Sequence, residues 1–352
     1  MENPDIKSTL NNDSGAADRK KDHIDLAFRS NSKSILLDER FDYEPMLAPF
    51  PTMDSMQSID FLGKTFKFPI WVSSMTGGTQ KARNININLA KACGEFGLGM
   101  GLGSCRQLLY SDEYLHDFDV RKYMGEQPLY INLGVAQVEE LISRNDLKTI
   151  TTLIHKLSAD GLIIHVNPMQ EWLQPEGDKF CFSPLATITK VIDANIASSI
   201  IVKEVGQGMG PKSLDALLRL PIEAIEFAAF GGTNFALLEI LRSDESIQEN
   251  YQNIAEIGHT ATQMVASINQ LLFKNSNQYL CKQAIISGGI TDFLDGYHAM
   301  STLQMPAIYG QASAMLKQAM GDYEQLHNYV SMQVEGLKFA QAYLSPKSDS
   351  SI

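Results

Sequence analysis

Cysteine is scarce: Cys93, Cys105, Cys181 and Cys281 are the only four in 352 residues. None stands in a C-x-x-C pair, which argues against a zinc site or a dithiol redox motif. Three lie in apolar or helical surroundings, where a small inert hydrophobe is expected, and the set suits a reducing, cytoplasmic compartment. Positive charge is in deficit: 29 Lys and Arg against 41 Asp and Glu leave a formal charge of −12. That disfavours a general nucleic-acid or anionic-membrane binder, although a local group of cations and backbone N–H groups can still hold a phosphate. No apolar run is long enough to span a bilayer, and the opening "MENPDIKSTLNNDSGAADRKKD" has no apolar segment of signal-peptide type.

What is there is the material of a large core. The chain is 44% hydrophobic and 20% charged, the balance of a globular protein. Polar stretches at 1–18 and 345–352 are expected to be flexible and to flank one domain at 19–344. Within it, short apolar runs recur at 68–74, 97–104, 128–134, 161–167, 199–206, 224–231, 283–289 and 307–312, many ending in Gly, Ser or Asn. Their lack of clean alternation predicts strands buried on both faces of a parallel sheet. Helical patterns lie between them, as in "QKARNININLAKACGEFG", where Ile85, Leu89, Cys93 and Phe96 share one face and Gly97 is a stop. "VEELISRNDLKTITTLIHKLSA" and "SPLATITKVIDANIA" read as helices too, and a last one is expected near 321–344. Eight such units predict an α/β fold, a (β/α)8 barrel with a mobile N-terminal arm. Residues 232–282 hold one helix too many, so an extended region is expected between strands six and seven. An open doubly wound sheet is the alternative.

In either fold, sites form beyond the C-terminal ends of the strands. Strand four runs into "IIHVNPMQEWLQPEGD", an apolar run ending in a crowd of polar side chains that reads as one wall of a pocket. Gly231-Gly232-Thr233, Gly288-Gly289 and Gly310 can bring backbone N–H groups up to a ligand, and glycines at two successive strand ends suggest a phosphate-bearing cofactor. Lys203, inside "IIVKEV", is either ion-paired with Glu204 or another carboxylate, or meets an anionic or electron-rich ligand. Glu171 is either a solvated loop carboxylate or a ligand for Mg2+ on a diphosphate. His165 and Asn167, two apart, face the same way on a strand; a lone strand His is usually a satisfied core group, and the Asn beside it tilts the reading towards a ligand. Arg106 is a phosphate candidate or a surface ion pair of little worth.

The stretches "RKKDHI", "SSMTGG", "GLGSCR", "INLGVAQ", "IHVNPMQEWLQPEGD", "IVKEVG", "GGTN" and "SGGI" together resemble the type 2 isopentenyl-diphosphate isomerases, FMN-dependent (β/α)8 barrels, from about Arg19 to Ala314. The resemblance implies that Ser74, Met75, Thr76, Ser104, Asn132, Lys203 and Thr233 line FMN, and that Gly288, Gly289, Ile290, Gly310 and Gln311 cradle its phosphate. It implies that Arg19, Lys20, His23, Arg106, His165 and Asn167 face the substrate diphosphate, with Ser104 beside them. Gln170 would touch the isoprenoid, the catalytic set would be Gln170, His165 and Asn167, and Glu171 would bind Mg2+. The implied activity converts isopentenyl to dimethylallyl diphosphate, with reduced FMN as acid and base and NADPH keeping it reduced. The implied assembly is a homo-oligomer, a tetramer or larger. Two positions depart from the family pattern: Cys105 stands where Gln is common, and Ala228 where Ser is. An FMN-barrel oxidoreductase acting on a small substrate is the alternative; a barrel that only senses a phosphate ligand ranks below it.

Overall fold

Apolar strands that bury both faces need cover on each side, and in the computed structural model eight of them close into a parallel barrel wrapped by helices. The structure describes residues 16–30, 36–52, 55–74 and 80–347. The chain divides into two units, 1–41 and 42–352. In the first, a helix spans Ala16–Leu26, and its described side chains are exposed.

The second unit contains the barrel. Its strands are β1 (Ile70–Val72), β2 (Gly99–Ser104), β3 (Leu129–Gly134), β4 (Gly161–His165), β5 (Ile200–Lys203), β6 (Ala224–Glu226), β7 (Ala284–Ser287) and β8 (Ala307–Gln311), in that order around the closed sheet. All eight expected strands are present, each ending at or before its predicted limit. The polar residues that follow, such as Asn167 after β4, leave the ladder to build loops. The expected helix over 138–159 is two, α2 (Val135–Ser143) and α3 (Lys148–Lys156). Asn145 between them takes a positive φ of 54°, which a continuous helix does not admit. The first long helix, α1 (Gln80–Phe96), stops at Gly97 with φ +66° as expected.

Inside the barrel the register sets two layers. The lower one is apolar: Trp71, Tyr130, Ile163, Ile201, Ala224, Ile285 and Ile308 form one buried cluster. A hairpin plugs it from below, its strands Ile59–Phe61 and Lys64–Phe66 adding Phe61 and Phe66 to the same cluster. Positive φ at both Leu62 and Gly63 suits the tight hairpin turn. Two residues further along each strand the inward positions turn polar: Asn132, His165, Lys203, Glu226 and Ser287. The barrel is thus oily at its base and hydrophilic at the C-terminal mouth.

Two helices support that mouth. α4 (Pro168–Leu173) follows β4, with Pro168 at its first turn. The extended region between β6 and β7 contributes α5 (Phe235–Arg242), a shorter helix Glu245–Tyr251 and a long one, Ala261–Asn275. Leu173 packs with Ala236, Ile240 and Ala255 in a separate apolar cluster, which braces the strand-four loop against the insertion. The last helix, Tyr323–Tyr343, buries Leu326, Val330, Val334 and Leu337 against the main core. No helix among the described residues is long and apolar enough to cross a membrane.

Candidate functional site

A cavity of about 330 Å3 opens at the mouth, lined from the ends of β5, β6, β7, β8 and β1. That volume is in the range of small-molecule and cofactor sites. Of the residues expected around a flavin, it brings together Ser74, Lys203, Thr233, Gly288, Gly289, Ile290, Gly310 and Gln311. Met75 and Thr76 lie outside the described residues. Ser104 and Asn132 are not in its lining: Ser104 is exposed at the end of β2, and Asn132 Oδ1 lies 2.8 Å from His165 Nδ1.

Of the two readings the sequence leaves for Lys203, ion pairing or ligand contact, the first is not met: no ion pair is made among the described residues. The residue is 6% exposed, and its ammonium donates to the Glu204 backbone carbonyl at 2.8 Å. The Glu204 carboxylate is occupied elsewhere, accepting from the N–H groups of Gly206 and Gln207 at 2.6 Å each. Among the described residues no carboxylate forms a salt bridge with Lys203, although its ammonium favours the charged form of the neighbouring Glu204 through space. A buried cation thus lines the cavity without a hydrogen-bonded anion, an arrangement that an anionic or electron-rich ligand would favour.

The glycines earn their places by close approach. Gly288 has φ +86°, and a Cβ there would sit 2.1 Å from the Ala229 carbonyl oxygen; at Gly310 it would sit 2.6 Å from Ser73 Oγ. Lys317 lines the same cavity. Gln311 is part of the frame, its amide donating to the Thr291 carbonyl at 3.1 Å and accepting from Tyr329 Oη–H at 3.0 Å. Ser73 Oγ, Ser74 Oγ and Glu226 Oε2 are buried with no hydrogen-bond partner among the described residues. Unpartnered hydroxyls, a buried cation and a glycine-lined end fit a large polar ligand with a phosphate at one end, and so fit FMN.

Beside the cavity stands the polar wall of strand four. Asn167 Nδ2 donates to Gln170 Oε1 at 3.1 Å and to Glu171 Oε1 at 2.9 Å. Glu171 Oε2 accepts the Asp178 backbone N–H at 2.7 Å. Arg106 pairs with Asp178 through both terminal nitrogens, at 2.7 and 3.3 Å, and Gln137 donates to the same carboxylate. Gln170 Nε2 donates to Glu239 Oε1 at 3.1 Å, and Arg242 bridges Glu239 to Glu176. Among the described residues no cluster of three metal-ligating side chains occurs, so a cation at Glu171 would draw most of its ligands from substrate oxygens and water. Burial, and then the Lys203 ammonium, push the His165 imidazole down from its ordinary 6.5 to about 3. It is neutral, with Nδ1 engaged by Asn132. Arg19, Lys20 and His23 lie on the helix of the first unit and are exposed.

Four residues here had no place in the sequence reading. Glu226 and Ser287 continue the inward alternation of β6 and β7, a signal legible in "AIEF" and "AIIS". Glu239 meets Gln170 only because the insertion folds back 69 residues later. Lys317 sits on a helix, Ser313–Ala319, after the last strand. Of the cysteines, Cys93, Cys105 and Cys281 are buried, and burial lifts the Cys105 thiol to about 12, the state of an inert core group.

No family model matches the chain. An isopentenyl-diphosphate delta-isomerase of Rickettsia felis is 31% identical over 329 residues, which is 91% of this chain and 90% of that protein. The isopentenyl-diphosphate delta-isomerase of Rickettsia prowazekii is 33% identical over 307 residues, 86% of each. Among solved structures, the flavin-binding domain of baker's yeast flavocytochrome b2 superposes with a TM-score of 0.58 at 11% identity, covering 86% of this chain and 71% of that one. A mandelate oxidase with an FMN adduct superposes at 0.52 with 12% identity over 88% of both. At such identities the structural likeness speaks for the barrel alone.

Proposed function

The chain belongs to the isopentenyl-diphosphate delta-isomerase family, and from that footing we propose that it converts isopentenyl to dimethylallyl diphosphate with FMN in the mouth cavity. The observation that carries the cofactor is the buried Lys203, held on a backbone carbonyl and in no salt bridge among the described residues, in the lining of a cavity that is also glycine-lined. Moving the double bond adds one proton and removes another with no net redox change, which calls for a weak acid and base in a dry pocket. Reduced FMN, when bound, supplies that acid and base, and NADPH keeps it reduced.

The protein's own part is to hold and orient. Lys203 offers its ammonium to the electron-rich edge of the ring, Ser74 and Thr233 offer hydroxyls, and the Gly288–Gly289 backbone with Lys317 takes the phosphate. On the wall, Arg106, His165 and Asn167 face the diphosphate. With Nδ1 engaged by Asn132, His165 presents Nε2 as the atom that takes up a proton when an anion arrives. Glu171 would hold Mg2+ on the diphosphate, and Gln170, tied to Glu239, would orient the isoprenoid. By the same reading Arg19, Lys20 and His23 bear on the diphosphate, which a chain lacking residues 1–20 tests through a raised KM. A homo-oligomer is the matching assembly, testable by light scattering.

The deciding experiment is anaerobic: protein, FMN, NADPH, Mg2+ and isopentenyl diphosphate in D2O, followed by proton NMR. Deuterated dimethylallyl diphosphate far in excess of the NADPH consumed is the expected result. Bound, reduced flavin without product would favour the barrel oxidoreductase instead.

A further inference from the structure

Among the described residues Glu226 is the only carboxylate in the cavity lining, and the chemistry above leaves it unused. Its side chain is fully buried. Oε1 accepts from Ser287 Oγ–H at 3.3 Å, while Oε2 has no partner. Ser287 Oγ is in turn held by the Ala228 N–H at 2.9 Å, so the hydroxyl is aimed at the carboxylate. Lys203 stands opposite Glu226 in the register, yet the two charges are not ion-paired. Ser73, 6% exposed and also without a partner, lies across Gly310 from Ser287; a Cβ at Gly310 would come within 2.6 Å of Ser73 Oγ and 3.0 Å of Ser287 Cβ. Glycine there keeps a polar strip open along the cavity floor, from β6 through β7 and β8 to β1.

A carboxylate accepts hydrogen bonds and repels phosphate, so what it meets in the ligand must donate. The strip lies between Lys203, which suits an electron-rich ring, and the glycine-lined phosphate end. We propose that Glu226, oriented by Ser287, is the binding group for a hydroxylated linker joining ring to phosphate, which in FMN is the ribityl chain. The assignment rests on the FMN reading and adds a residue to it.

Three ligands separate the possibilities: FMN, riboflavin, which keeps the ribityl chain without phosphate, and lumiflavin, which has neither. Each is titrated by flavin fluorescence into apoprotein of the wild type, Glu226→Gln and Ser287→Ala, with thermal melting to confirm the fold. Glu226→Gln should weaken FMN and riboflavin alike by roughly ten- to hundredfold, the loss of a charge-assisted hydrogen bond, and leave lumiflavin within about threefold. Ser287→Ala should show the same ligand pattern at smaller size, which preserves the test if the glutamine variant does not fold. Equal weakening of all three ligands would mean that Glu226 acts on Lys203 or the ring, and would overturn the proposal; so would no change. A wild type that binds none of the three would remove the FMN reading itself.

Discussion

On the β5-to-β1 side of the mouth, Ser73 Oγ, Ser74 Oγ and Glu226 Oε2 have no hydrogen-bond partner and Lys203 makes no salt bridge among the described residues; on the β4 side, Arg106, Asp178, Glu171, Gln170 and Glu239 are joined to one another, Glu171 and Gln170 through Asn167. Asn167 Oδ1 is the exception on that wall. Both regions are polar, but they stand in different relations to a ligand. Unmet buried groups cost the empty protein stability that a ligand restores on binding. A self-satisfied network costs nothing when empty, and a ligand must displace one of its members. The first suits a resident cofactor held tightly, and the second a substrate that arrives and leaves.

The largest tests of that contrast are two, and the first is Lys203→Ala. Removing the buried cation should weaken FMN binding roughly hundredfold, since it contributes more than one charge-assisted contact. Flavin absorbance on titration measures it, and an unchanged affinity would put Lys203 on the structural side. Glu171→Gln is the second and reads the other region. Its expected effect is loss of Mg2+-dependent turnover by at least the roughly hundredfold that altering a mere partner of a metal ligand can cost, with FMN affinity unchanged. Loss of flavin together with activity would merge the two regions into one.

His165 sits where they meet, and its protonation gives an effect of intermediate size. Its folded pKa, about 3, lies below the ordinary 6.5. Between those values the unfolded chain holds a proton that the folded one does not. Stability is therefore full above about pH 6.5, falls as pH drops through the window, and levels off near 3, with a slope of up to about 1.4 kcal/mol per pH unit. Denaturant midpoints from pH 7 to 4 should show this slope, and His165→Gln should flatten it. A diphosphate analogue should flatten it as well, by favouring the charged ring.

Asp178→Asn asks whether wall contacts compete with the substrate. Arg106 is about half exposed in its pair with Asp178, so the pair is worth at most about 1 kcal/mol. Weakening it should free the guanidinium and lower the substrate KM by roughly two- to fivefold. A raised KM would show that Asp178 positions Arg106 for the diphosphate instead of competing for it.

How far the contrast could be read in advance follows from distance along the chain. Strands buried on both faces announce themselves as apolar runs, and the crowd after Ile164 marked the wall. Which polar groups satisfy one another was not legible. Gln170 and Glu239 are neighbours only through packing of Leu173 on Ala236 and Ile240, and the Arg106–Asp178 pair spans 72 residues. Glu226 was open to the same alternation argument as His165 and Asn167, but its place beside Lys203 comes from the strand register, which the sequence does not state.

The smallest expected effect lies at Ala228, on the unpartnered side. Its φ of +41° is one that side chains avoid, and its N–H is fixed on Ser287 Oγ at 2.9 Å. Glycine takes that conformation freely, so Ala228→Gly should stabilise the protein by about 1 kcal/mol less the added entropy of the unfolded chain, roughly 0.5 kcal/mol net. If the strained turn exists to aim Ser287 and Glu226 into the cavity, the relaxed variant should melt higher yet hold FMN no more tightly, because the aim is carried by the backbone N–H that glycine keeps. A variant that gains stability and loses flavin affinity would show that the methyl group itself packs against the ligand.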